Sequence, residues 1–401
     1  MNVPSGWRRL YAGTGLPPIV RRLGAVSFFQ DVASEMVYPL LPGFLVALGG
    51  GPALLGLMES AADGVVAFVK AWAGKASDAS GRRKGFVAFG YGGSAAARPL
   101  LAAVASPWQV LALRVWDRFA KGVRSAPRDA LIAGSVAPRG RSYAFAFHRG
   151  LDHLGAATGP LATAAMVALG APVRLVFLAA TVPALAGFLT VVAAVPTDAP
   201  ALARRQTRAA GGAAHRGWRR ALAAAAFFGL ANASDAFLLL RAGELGLGAA
   251  ALALVWSAFH VVRWLASAPG GRLADRFGAR VSLVLGWIAY GLVYLGFAFA
   301  PGLATFLILM VPYAAHVGLV EGAERTLAVE LGGPGRAGAS LGAWQRATGL
   351  GAVVASALFG VVASALSMRV AFAASGGLAW VGAILIAGVR APASGPVGSA
   401  R

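Results

Sequence analysis

The chain has 401 residues, 58% of them hydrophobic and only 13% charged, a balance that excludes a water-soluble globular surface. Its 15 acidic residues fall mostly inside apolar runs or at their ends, and a net charge of +21 crowds into short loops on one face. That pattern fits the positive-inside rule of membrane proteins better than a nucleic-acid footprint, and with no cysteine there is no disulfide or thiolate-metal chemistry to consider.

Apolar runs of roughly 20 residues, each long enough to cross a hydrocarbon core of about 30 Å, recur through the sequence. Taken in order, the first six predicted spans lie at about 23–47, 53–73, 85–105, 108–132, 142–168 and 173–195. Basic residues precede the first run as in a signal peptide, but Asp31 and Glu35 interrupt it, so it reads as an uncleaved span. Residues 196–220, rich in Pro, Gly and Arg, form a polar linker. Six further spans follow at about 221–241, 249–269, 281–300, 302–328, 338–365 and 370–389. The expected division is a bundle over 1–195, a cytosolic linker over 196–220, and a second bundle with a short tail over 221–401. Basic loops at the N-terminus and linker, against uncharged turns near Gly50, Ser106 and Pro301, put both termini in the cytosol of a multi-pass inner-membrane protein.

The two halves repeat. The loop after span 2 carries Gly74, Asp78, Gly81, Arg82 and Arg83; the loop after span 8 carries Gly271, Asp275, Arg276, Gly278 and Arg280. Asp78 and Asp275 stand 197 residues apart, as do Arg128 and Arg325, and as do His148-Arg149 and Gln345-Arg346. Glycines suit a tight turn there, and each aspartate could face a helix N-terminus. This G-x-x-x-D-x-x-G-x-R pattern resembles the loop signature of the major facilitator superfamily of secondary transporters. The second copy matches throughout; the first departs at Ala79, where the family usually has a basic residue. The resemblance implies an all-α membrane fold of twelve transmembrane helices in two pseudo-symmetric six-helix bundles. It also implies a cavity lined by spans 1, 4, 7 and 10, and gating by the two loops.

Charge inside the spans marks candidates for function, because it is costly in lipid and normally faces a bundle interior. Asp31 and Glu35 share a face of span 1, with Glu35 roughly 18 Å along it, near midplane. Span 7 echoes this with Asn232-Ala233-Ser234-Asp235. Such carboxylates can bind and release protons, and Glu59, Asp63 and Glu321 join Asp31, Glu35 and Asp235 as proton-coupling candidates. Arg149 and Arg346 are the expected counter-charges of Glu35 and Asp235. Span 4 repeats Arg114, Asp117, Arg118, Lys121, Arg124 and Arg128 at three- and four-residue steps, which predicts one cationic face. Its outer members are expected to be paired, leaving Lys121 and Arg124 on the substrate path, with Arg124 matched to Glu321 at the 197 offset. Arg114, His148, Arg149, Asp152, Asn232, Gln345 and Arg346 complete the substrate-path set. Arg98 and Arg174, near the ends of spans 3 and 6, are expected to snorkel.

Span 5 reads Gly155-Ala156-Ala157-Thr158-Gly159-Pro160, similar to the helix-5 motif of superfamily antiporters but without the glycine pair that follows it, which mildly favours export. Two decoys are set aside: Gly338–Gly342 fits G-x-S-x-G but opens a membrane span, and the sequon at Asn232 lies inside one. The expectation is a monomeric, proton-coupled transporter of a small organic solute, in contact with lipid, with no nucleic acid, cofactor or metal and no enzymatic activity. A polytopic enzyme acting on lipid and a non-transporting sensor are the alternatives.

Overall fold

The computed structural model describes residues 16–136, 141–195, 215, 217–333 and 337–389. They form twelve helical rods. In the first half these are α1 (Pro18–Val37, a 3-10 turn Tyr38–Leu40, then Leu41–Ala47), α2 (Pro52–Ser80), α3 (Arg83–Ala103), α4 (Pro107–Gly134), α5 (Arg141–Ala168) and α6 (Val173–Ala179 and Thr181–Ala194). In the second half they are α7 (Trp218–Ala231 and Ala236–Glu244), α8 (Ala249–Phe277), α9 (Ala279–Phe299), α10 (Leu303–Gly332), α11 (Ala337–Ala365) and α12 (Met368–Ala387).

Local chemistry sets the ends. Proline opens α1, α2 and α4, where its missing N–H costs nothing. Ser106 and Gln109 close a reciprocal capping box at the start of α4. Pro39 and Pro42 break α1 into its 3-10 turn. The loop signature is shorter than expected: α2 runs on through Gly74 to Ser80, and α8 through Gly271 to Phe277. Of the signature glycines, Gly81 (φ +71°) and Gly278 (φ +86°) take the positive-φ conformation that turns the chain. The side chains of Asp78 and Asp275 lie outside the described residues.

Packing repeats between halves. The pairs α1·α5, α2·α4, α3·α4, α1·α6 and α3·α6 reappear six helices later as α7·α11, α8·α10, α9·α10, α7·α12 and α9·α12. The halves meet through α2·α11 and α5·α8, two contacts exchanged by the same pseudo-twofold relation. Close backbone approach makes these contacts tight: Gly56 and Gly360 leave no room for a side chain between α2 and α11. Gly155 and Gly159 play that part within the first half, seating α5 against α1 beside Asp31 and Glu35. The antiporter-like motif is therefore a packing surface.

Leu175, Val182 and Leu189 on α6, Leu285 and Leu292 on α9, and Ile384 on α12 are exposed large apolar side chains, as lipid-facing supports require. Among the described residues, eight helices are long and apolar enough to cross a membrane; α1, α3, α4 and α5 fall below that mark, and they hold Glu35, Arg98, Asp117 and Asp152. The six turns at Gly49–Gly51, Val104–Ser106, Leu169–Pro172, Leu245–Gly248, Ala300–Gly302 and Leu366–Ser367 contain no charged residue. They define a distal face, opposite the basic one.

Candidate functional site

A cavity of about 400 Å³ lies between the halves, lined from α1, α2, α4, α7, α8, α10 and α11. Its position follows from a break in α7. After Ala231 the chain leaves the helix for Asn232, Ala233 and Ser234, and re-enters it at Ala236. A continuous span over about 221–241 is thus corrected: unwound backbone is tolerated here because it lines a cavity. The break delivers Asn232, Ser234 and Asp235 to the lining.

Ser234 then joins the halves. Its Oγ donates to Glu59 Oε2 at 2.9 Å and lies 3.3 Å from the Tyr38 hydroxyl, while its backbone N–H donates to Ser356 Oγ at 3.1 Å. Glu59 is held on its other side by Arg114, Nε to Oε1 at 2.8 Å and Nη2 to Oε2 at 3.1 Å, a two-point pair with fixed geometry. The Arg114 guanidinium also covers the Tyr38 ring at 5.0 Å.

Glu35 makes the second crossing. Its Oε2 accepts from the Trp256 indole N–H at 2.8 Å, and His260 Nε2 stands 3.6 Å from the same oxygen. Trp256 stacks on Phe259, centroids 4.7 Å apart, and Phe259 leans on Tyr313, whose hydroxyl donates to Asp235 Oδ1 at 2.5 Å. At the level of the cavity Ser60 Oγ donates to the Val353 carbonyl at 2.7 Å, and further toward the distal face the Ala53 N–H donates to Ser364 Oγ at 2.8 Å. Across α5·α8, Ser257 Oγ donates to the Ala157 carbonyl at 2.8 Å.

Glu35, Glu59, Asp63, Arg114, Asn232 and Asp235 therefore do meet at one cavity. Other expectations are corrected. Arg124 is buried away from the cavity, donating to Gly90 O at 3.1 Å and Ser94 Oγ at 2.6 Å and covering the Tyr91 ring, so it neither meets Glu321 nor lines the path. Arg118 takes its place. The reason is rotation: six residues turn a helix by roughly 120° net, so Arg118 and Arg124 cannot share one face. Lys121 is exposed and outside the lining, whereas Arg114 is both paired, with Glu59, and inside it. Arg98 does not snorkel; it is buried, donating to Asp117 Oδ1 at 3.2 Å and Ser34 Oγ at 3.0 Å.

Glu35 and Asp235 have Trp256, His260 and Tyr313 as partners, not Arg149 and Arg346. Arg149, Gln345 and Arg346 are exposed and outside the lining. Glu321 sits between Arg325, at 2.6 Å, and Arg263, at 3.7 Å. His148 is buried 3.5 Å from Asp152, and Asp31 lies beside α5; none of the three lines the cavity.

Tyr38, Arg118, Ser234, Trp256, His260, Arg263 and Tyr313 also belong to the lining, beyond the candidates that buried charge in the sequence marks. Two were within reach: at the 197-residue offset, Glu59 corresponds to Trp256 and Asp63 to His260.

Comparison with known proteins agrees with this architecture. The sequence model of the Major Facilitator Superfamily matches residues 23–240 and 220–401. An uncharacterized MFS-type transporter of Methanocaldococcus jannaschii is 28% identical over 351 residues, covering 84% of this chain and 86% of that one. Among solved structures, the nucleoside transporter NupG superposes with a TM-score of 0.74 at 14% identity, covering 92% of this chain and 99% of NupG. A bacterial homologue of the human lysosomal transporter Spinster, in an inward-facing and occupied conformation, gives 0.75 at 13%, covering 92% and 95%. Those identities speak to fold alone. Because the sequence match itself runs through both halves and over the cavity between them, the chain belongs to the Major Facilitator Superfamily and is a secondary transporter.

Proposed function

We propose that the protein moves a small polar organic solute by alternating access, with protons coupled to the movement through Glu35. In this reading residues 1–195 and 221–401 rock as two bodies about the cavity. The basic face is cytosolic. The structure is then the state closed on the distal side, since the described hydrogen bonds between halves run from the cavity floor to the distal turns.

One observation carries the proposal: Glu35 of the first half is held by Trp256 and His260 of the second. A carboxylate in such a setting is tolerated as an anion only while partnered. Rocking the halves apart would remove those partners, and protonation would compensate for their loss. The two events are therefore linked, each favouring the other. Asp235, tied within its own half to Tyr313, supplies a carboxylate whose partner does not change on rocking.

The test is flux in proteoliposomes. Glu35→Gln should keep solute exchange but lose acceleration by an imposed pH gradient, whereas Asp235→Asn should keep most of it. Wild-type gradient dependence in Glu35→Gln would remove Glu35 from the coupling.

A further inference from the structure

The cavity holds two opposite charges that the protein leaves without close partners. Asp63, on α2, is exposed to the cavity and makes no hydrogen bond or ion pair among the described residues. Arg118, on α4, makes no hydrogen bond there either, and its buried Nε is unsatisfied. Its nearest carboxylate oxygen, Asp117 Oδ2, is 4.0 Å away, and the other oxygen of that group is taken by Arg98 at 3.2 Å.

The remaining charges in the lining are better occupied. Glu59 and Arg114 hold each other, Glu35 has Trp256 and His260, and Asp235 has Tyr313; Arg263, whose Nε is also unsatisfied, has Glu321 at 3.7 Å, a carboxylate outside the lining that answers its charge. The helices α2 and α4 pack side by side, so the free anion and the under-paired cation belong to the same wall. Only Ala233, Phe259, Val317 and Ala352 contribute purely apolar side chains to the lining, and Phe259 is 3% exposed. A bulky apolar solute would gain little burial here.

The geometry points to a zwitterionic solute of amino-acid size, its ammonium toward Asp63 and its acid group toward Arg118. This rests on the reading of the cavity as the transport site. A singly charged solute would satisfy one of the two and leave the other in a partly dehydrated cavity, where an unpaired charge is costly. A zwitterion answers both at once. At about 400 Å³ the cavity is toward the small end of ligand sites, which suits a solute of that size.

The experiment uses the purified full chain, read by thermal shift and by exchange in proteoliposomes. The probes are the standard α-amino acids, each beside its methyl ester, which is only a cation, and its N-acetyl form, which is only an anion. At least one zwitterion should stabilise the protein and exchange, with both blocked forms weaker by tenfold or more. Asp63→Asn should erase the preference over the N-acetyl form, Arg118→Gln the preference over the ester, and Arg118→Lys should keep it. The proposal is overturned if a blocked form binds as well as its zwitterion, if the Asp63→Asn ratios match wild type, or if no zwitterion binds. A separate readout protects the distinction from the transport reading: spin labels at Gly50 and Ser367 report distal opening. If those labels never separate under any condition, the transport reading itself falls; if they separate while zwitterions fail, only the solute class does.

Discussion

The two halves share one packing plan and are built from different chemistry. In the first, buried charge ties the helices together: Arg98 to Asp117, Arg114 to Glu59, and Arg124 to the carbonyl and hydroxyl of α3. In the second, aromatic rings do so. Phe228 of α7 stacks on Trp287 of α9 at 4.4 Å, Tyr294 of α9 meets Tyr313 of α10 edge-on at 5.7 Å, and Phe297, Phe306, Phe359 and Phe372 extend the cluster. Helix topology thus leaves open what fills the space between helices. The difference gives the cavity unlike walls, a charged one from α1, α2 and α4 and a largely aromatic one from α8 and α10.

The comparison is sharpest at its centres. Asp117→Asn leaves Arg98 buried without its carboxylate, a loss of about 3–5 kcal/mol for a broken buried pair. The measurement is melting of the detergent-solubilised protein. Replacing both partners by apolar residues, Arg98→Met with Asp117→Leu, should recover most of it, because the pair is costly to break more than it is stabilising to keep. In the second half, Trp287→Ala should also cost about 3–5 kcal/mol, through a cavity in the aromatic cluster. No second substitution of a charge should rescue it. Rescue of Trp287→Ala by removing a nearby charge would break the contrast between halves.

Smaller effects are expected where the halves meet. Glu59→Gln weakens both the Arg114 pair and the Ser234 bond, so the distal closure should loosen by about 1.5–3 kcal/mol, the worth of a hydrogen bond to a charged group. Distances between labels at Gly50 and Ser367 should broaden toward a separated population. Ser234→Ala removes the hydroxyl but keeps the Glu59–Arg114 pair, and a shift of about 0.5–1.5 kcal/mol in the same direction is expected. Smallest of all, Arg241→Gln loses a partly exposed pair with Glu244 at 3.0 Å, worth at most about 1 kcal/mol. A large effect there would mean that α7 is held by charge, as the first half is.

Much of this was readable from residues alone. Apolar length and the 197-residue register point to an all-helical membrane fold with two related halves, because burial in lipid imposes a period and a duplication preserves it. The basic face was legible for the same reason: solvent acts on each segment separately. Glu35, Glu59, Asp63 and Asp235 could be picked out because a carboxylate in an apolar run stands out without any knowledge of its neighbours. Who meets whom could not. Arg118 and Arg124 look equivalent along α4, and only the rotation of that helix against α3 sends one to Tyr91 and the other to the cavity. The partners of Glu35 sit more than 200 residues away, and the unwinding at Asn232–Ser234 is favoured because Ser234 finds Glu59 and Ser356 there. Such pairings depend on how packed bodies dock, a property of the whole fold that no local stretch of sequence carries.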